Sequence, residues 1–228
     1  MLKLYFHPSP NPLKVALFLE ETGTPYEAIP VDTRKGEQFT AEFLAVNPNG
    51  KTPAILDSDV AVFDSNAILL YLAEKTGKLM PTDAAGRGEM LSWLMFVATG
   101  IGPYSGQAVH FRHFAPAGNE YGVNRYLREV ERHYRVLDAR LATRQYILGD
   151  EYSIVDVAAW GWACGVPFVL GEHGFDAYPN VKRWFDLVDA RPAVARAMAI
   201  KDRFTFKAEM DDDARRIMFP QNASLAAE

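Results

Sequence analysis

Ser9 and Asn11 stand two apart in the stretch YFHPSPNPLKV, residues 5–15, among three prolines. An alternating pattern ends there and a helical one begins. Neither side chain ionises near neutrality, so neither is a general base. Both donate hydrogen bonds, Ser9 through O–H and Asn11 through two N–H groups. Donors of this kind, together with a helix N-terminus, stabilise a negative charge within their reach. The prolines restrict the backbone, so the donors are held before any ligand arrives. The plain alternative is a strand-to-helix turn in which Asn11 is merely the N-cap. Tyr5 is a rival donor. It ends a strand-like run on the face opposite Leu4 and Phe6.

Other residues could bind rather than react. Asp64-Ser65 precedes the apolar run NAILLYL, which makes it an N-cap pair. Gln38 and Lys51 read as a solvated surface pair. Arg125, Arg128, Arg132 and Arg135 recur at helical spacing, on a face roughly opposite Leu127, Val130 and Tyr134. That face is basic and solvated, with pairs such as Arg125–Glu129. His110 and His113 lie at i,i+3, but no third ligand is near them in sequence, which argues against a metal site. Cys164, the sole cysteine, sits in an apolar stretch as a small hydrophobe and excludes an intrachain disulfide.

The elements that must hold these residues can be read from periodicity. Leu2, Leu4 and Phe6 alternate as in a half-buried strand, Val15, Phe18 and Leu19 recur as in a helix that Gly23 ends, and Tyr26–Val31 reads as a second strand. Strand, helix, strand in so few residues is a βαβ unit with parallel strands. A helix over 37–46, a hairpin from TPAILD and VAVF, and a helix closed by Gly77 complete the order β-α-β-α-β-β-α. Beyond Ala84 the chain shows only helical stripes: Met90/Leu91/Leu94/Met95/Ala98, then Leu127/Val130/Tyr134/Leu137/Leu141. A further helix opens at Ser153, with Asp156 facing back as in a capping box. Two short helices flank Arg191-Pro192. This divides the 228 residues into a domain over 1–80, a helical domain over 86–205, and a tail over 206–228. The tail reads as partly ordered, or as packing Phe204, Phe206, Met218 and Phe219 back over a cleft.

The net charge of −5 and the pI near 5.6 argue against nucleic acid as a partner. The N-terminus turns polar too early for a signal peptide, and no apolar run approaches the roughly 20 residues of a membrane span. Together with the lone cysteine, this suggests a soluble cytoplasmic protein.

The strand order, with Pro53 at the start of the third strand in NGKTPAI, resembles the thioredoxin fold. The resemblance implies a cis Thr52-Pro53 bond that exposes the Thr52 backbone to an extended peptide. NPNGKTPAI, DSNAILLYL and, later, YSIVDVAAW together resemble the glutathione transferase family over nearly the whole chain. YFxPSPN, KGEQF, GQAVHF and NRY narrow this to the bacterial nu-class-like members. Ser9 replaces the threonine usual there, and Asp64 replaces the more frequent glutamate, which shortens its reach.

The resemblance implies an α/β thioredoxin-like domain that binds glutathione and an all-α domain that forms the acceptor site. GIGPYSGQAVHF would overhang the cleft, with Tyr104, Gln107, His110 and Phe111 near the second substrate. Asn11, Ser9 and, third, Tyr5 would stabilise the glutathione thiolate. Thr52 beside Pro53 would pair with the cysteinyl backbone, Asp64 and Ser65 with the γ-glutamyl end, and Gln38 and Lys51 with the glycyl end. Arg125 would reach glutathione from the neighbouring subunit of a homodimer. The implied activity is glutathione-dependent reduction of a small disulfide, with no metal. Thioredoxin-type enzymes carry cysteines at this turn and this chain carries none, so both thiols would come from glutathione. The alternatives are conjugation to an electrophile, or cleavage of an aromatic ether or halide. The alternative from another class is a non-catalytic binding or regulatory protein.

Overall fold

The computed structural model describes residues 1–222. They form two compact units, one of residues 1–68 with 196–222 and the other of residues 69–195.

In the first unit, β1 (Leu2–Phe6), β2 (Tyr26–Pro30), β3 (Ala54–Asp57) and β4 (Val60–Phe63) form one sheet in the order β2-β1-β3-β4. β1 and β2 are parallel, with Leu4 opposite Ala28. β3 runs antiparallel to both β1 and β4, as the expected hairpin requires. Strand alternation assigns the faces. Leu4 and Phe6 are wholly buried on one face. Tyr5 points to the other, where its ring meets Phe43 edge-on at 5.5 Å.

Helix α1 (Pro10–Thr22) begins with proline at its first position, where the missing N–H costs nothing. Gly23 ends it at φ 65°, a left-handed conformation suited to glycine. The expected helix over 37–46 is broken in two. A 3₁₀ turn covers Glu37–Phe39, Thr40 leaves helical geometry, and its hydroxyl caps the Phe43 N–H of α2 (Ala41–Val46). Thr40 competes with the helix for its own backbone donors, and at this position it wins. Helix α3 (Ser65–Thr76) comes after the hairpin.

The second unit is helical. α4 (Ala84–Phe96) starts in the gap between the two expected domains, where Asp83 caps the Gly86 N–H at 2.9 Å. A π turn over Val97–Ile101 leads into α5 (Gly102–Val109), and a second π turn covers His110–Phe114. Gly100 permits the first turn to approach α6 (Glu120–Leu141), since a Cβ there would lie 2.3 Å from His133 Nε2. The α6 stripe is as expected, with Val130, Tyr134, Leu137 and Leu141 buried. In α4 the stripe is narrower, with Met90 and Leu94 buried but Met95 45% exposed. α7 (Ile154–Ala163) opens with the expected capping box and is succeeded by α8 (Val166–Leu170) and α9 (Pro179–Asp189). Among the described residues, no helix is long and apolar enough to cross a membrane.

The domain limits read from sequence differ from these units at both ends. The later turns of α3 belong to the helical unit, and the stretch from Arg196 returns to the sheet unit. It contains the end of α10 (Pro192–Ala199), a 3₁₀ turn and α11 (Asp212–Met218). Phe206 packs on Phe6 and His7, at 6.4 and 5.1 Å between ring centres, and Phe204 packs on Phe206. Arg34 donates to the Lys207 and Ala208 carbonyls at 2.8 and 2.6 Å, and the Lys207 N–H donates to Asp32 at 2.7 Å. This segment is built into the unit rather than trailing from it.

Candidate functional site

The first turn of α1 carries the two small donors. Ser9, not Asn11, is the N-cap, with extended backbone at φ −141° and ψ 164°, and its side chain makes no capping hydrogen bond. Its hydroxyl is therefore not spent on the helix. Behind it, the Ser9 N–H donates to the His7 carbonyl at 2.7 Å, and the His7 ring meets the Val31 carbonyl at 3.1 Å. Asn11 lies inside the helix and is half-buried. The Ser65 hydroxyl, from the start of α3, donates to Asn11 Oδ1 at 3.3 Å. Two chain segments 54 residues apart thus meet at this turn.

A residue that pattern reading passed over lies beneath them. Lys14 is 1% exposed, and its ammonium approaches Ser65 Oγ at 3.4 Å. Burial pushes its amine down to about 7, against the pull of the nearby Asp64 charge. The signal was present in sequence. Lys14 is the one charge in a run, Pro12–Leu19, that is buried all round.

Asp64 takes a left-handed conformation, φ 69°, and one of its carboxylate oxygens accepts from the Asn66 and Ala67 N–H groups at 2.9 and 3.1 Å. It caps α3 and is itself exposed. Thr52-Pro53 is cis, as the resemblance implied, and leads into β3. Gln38 is buried in the 3₁₀ turn at 3% exposure, and its Oε1 has no hydrogen-bond partner in the protein. A buried acceptor left unpaired is costly. Gly50 keeps this corner compact, since a Cβ there would lie 2.9 Å from the Phe39 ring. Lys51 is exposed, and its carbonyl accepts from Asn47 at 2.5 Å. Tyr5 packs with Val31, Phe43, Val46 and Ala54. Its ring therefore belongs to the hydrophobic cluster of Val31, Phe43 and Ala54.

In the helical unit Arg125 is half exposed and pairs with Glu129 at 2.7 Å, and Glu129 also holds Arg132 at 3.0 Å. Arg128 and Arg135 share Glu131 in the same way, so four guanidinium groups pair with two carboxylates and the face stays basic. Phe111 stacks on Tyr126 at 5.1 Å, and Tyr104 lies 6.3 Å from Tyr126 and 5.1 Å from His133. His113 stacks on Phe168 at 4.1 Å. Among the described residues no group of three or more His, Cys, Asp or Glu could hold a metal ion. Cys164 is half-buried, and burial pushes its thiol up to about 12, so it is no thiolate near neutrality.

Comparison with known proteins fits this arrangement. The family model for the glutathione S-transferase N-terminal domain matches residues 1–74, and that for the C-terminal domain matches residues 96–192. The chain is similar to the disulfide-bond oxidoreductase YfcG of Escherichia coli, with 40% identity over 93% of this chain and 98% of the relative. A glutathione transferase structure from Burkholderia graminis, with two glutathione molecules bound per subunit, superposes with a TM-score of 0.84 at 43% identity, covering 89% of each chain. One from Pseudomonas putida, with one glutathione disulfide bound per subunit, gives 0.83 at 39%, covering 88% of this chain and 91% of the other. The chain belongs to the glutathione S-transferase family.

Proposed function

We propose that the protein reduces small disulfides with glutathione, using the Ser9/Asn11 turn to hold the attacking thiol as thiolate. The observation that carries this is the Ser9 hydroxyl, which stands at the N-terminus of α1 unspent on capping, beside an Asn11 that a second helix orients. Support also comes from the name of the Escherichia coli relative and from the glutathione disulfide bound to the Pseudomonas putida one.

A free thiol titrates at roughly 8.5, so only a few per cent is thiolate at neutrality. Asn11 N–H, Ser9 O–H and the helix N-terminus lower that value by stabilising the anion. The thiolate attacks one sulfur of a mixed disulfide, R–S–S–G. The new bond makes glutathione disulfide, and R–S⁻ leaves to take a proton. A symmetrical disulfide needs a second glutathione to repeat the step. In this reading the Thr52 backbone beside Pro53 pairs with the cysteinyl unit. Asp64 and the Ser65 N–H take the γ-glutamyl end, and Gln38 and Lys51 the glycyl end. Tyr5, whose ring packs on Phe43, ranks third as a donor to the thiolate. We read the protein further as a cytoplasmic homodimer in which Arg125 of one subunit reaches glutathione on the other.

The test is titration with glutathione, following thiolate absorbance in the ultraviolet alongside turnover of a mixed disulfide. The expected result is both signals. Thiolate without disulfide turnover would redirect the reading to conjugation or ether cleavage. Absence of both would leave a binding protein.

A further inference from the structure

We propose that Lys14 is a positioning residue: through Ser65 it fixes the rotation of the Asn11 amide, so that the Asn11 N–H groups face the glutathione sulfur and not the protein. The inference deepens the reading of the Ser9/Asn11 turn as a thiolate site and rests on it.

The reason is hydrogen-bond polarity. Protonated Lys14 has three donors and no acceptor, and it donates to Ser65 Oγ at the 3.4 Å contact. A hydroxyl has one hydrogen to give, and that of Ser65 is directed to Asn11 at 3.3 Å. An amide receiving a hydrogen there presents its carbonyl oxygen, so its two N–H groups turn away from Ser65. Without Lys14, Ser65 could equally accept from Asn11, and the amide could rotate by half a turn. The carbonyl would then face the sulfur and repel the developing anion. Three residues from two helices thus act in one direction, Lys14 to Ser65 to Asn11.

The burial of Lys14 makes an incidental role hard to sustain. An ammonium removed from water is costly. A leucine or methionine would fill the same space in α1 without that cost. Asp64, one residue before Ser65, supplies the charge that draws the buried ammonium towards its protonated form. The ammonium is therefore kept for its donors, at the point where a donor sets the polarity of the Ser65–Asn11 bond.

The experiment compares Lys14→Met, Asn11→Ala and the double variant. It reads the apparent pKa of bound glutathione thiol by ultraviolet absorbance, and kcat/KM with a mixed disulfide. Affinity for S-methylglutathione, which has no ionisable thiol, is the control. Lys14→Met is expected to raise the bound thiol pKa and lower kcat/KM about three- to tenfold, with S-methylglutathione affinity unchanged. Added to Asn11→Ala it should cost nothing more, because both variants break one chain of bonds. Losses that multiply in the double variant would overturn the inference. So would a Lys14→Met thiol unmoved while Asn11→Ala moves it. An Asn11→Ala thiol that is itself unmoved would overturn the thiol-turn reading, and this inference with it. A measurement on the unaltered protein needs no variant to fold. The Asn11 side-chain amide protons should shift in the NMR spectrum on adding glutathione and stay in place on adding S-methylglutathione. Equal behaviour with both ligands would overturn the proposal.

Discussion

Two helices of this protein begin with a serine N-cap, and the two serines are used in opposite ways. At the start of α7, Ser153 accepts from the Val155 N–H at 3.3 Å and donates to Asp156 at 3.1 Å. Asp156 also accepts from Ser153 N–H, Ile147 N–H and Trp184 Nε1 at 3.0, 2.9 and 2.9 Å. It is wholly buried, and its carboxylate is saturated by four donors. At the start of α1, Ser9 makes no cap with its side chain, and the contacts around Asn11 are long. In the same unit, Gln38 keeps a buried oxygen unpaired. A closed polar cluster holds a fold together. An open one leaves donors and acceptors unspent by the fold.

The contrast can be broken at its closed end first. Asp156→Ala leaves buried donors from Ile147, Trp184 and Ser153 without partners. It should cost about 3 kcal/mol or more, read by chemical denaturation. The thiolate signal of whatever fraction stays folded should be unaltered. At the open end, Asn11→Ala should do the reverse. It should lower disulfide reductase kcat/KM by at least about tenfold with the melting temperature nearly unchanged. If both properties fall together, the turn is structural and the contrast is lost.

The two caps then sharpen it. Ser153→Ala should destabilise by about 1 kcal/mol, the usual worth of a working N-cap, whereas Ser9→Ala should change stability by less than roughly half of that. Matched denaturation curves for the pair decide this.

The smallest effect concerns pH. Burial lowers the His7 pKa below its ordinary value of 6.5, so the fold favours the neutral ring. The stability this contributes is present above roughly pH 6.5 and is lost as pH falls below it, because only the unfolded chain then takes up the proton freely. Melting temperature should therefore decline between pH 7 and 5, and less steeply in His7→Gln. An unchanged slope would show that His7 does not carry this loss.

Much of this was legible in the residues. The strand alternation of Leu2, Leu4 and Phe6, the α6 stripe and the Ser153/Asp156 box are local signals, and local geometry fixes their outcome. The break at Thr40 was hidden because the apolar period runs across it, while one side-chain oxygen decides the backbone there. Lys14 was missed for a different reason. Its partner Ser65 lies 51 residues away, and no spacing rule connects a lysine in α1 to the cap of α3. Arg34 and Lys207 are farther apart still, and the acceptors there are backbone carbonyls that carry no sequence signature. Asn11 was singled out as a donor, and its plain alternative as N-cap falls to Ser9, one proline earlier.

The return of residues from Arg196 onward to the sheet unit has a consequence for synthesis. The ribosome delivers the four strands first and the segment that grips Asp32 and Arg34 only after the whole helical unit has emerged. Chains emerge at about 5–20 residues per second, so for several seconds the nascent sheet holds Phe6 and His7 without Phe206. During that interval the exposed edge at β2 and this uncovered aromatic corner are open to a chaperone. The corner of Phe6, His7 and Phe206 is thereby completed only after the helical unit has been made.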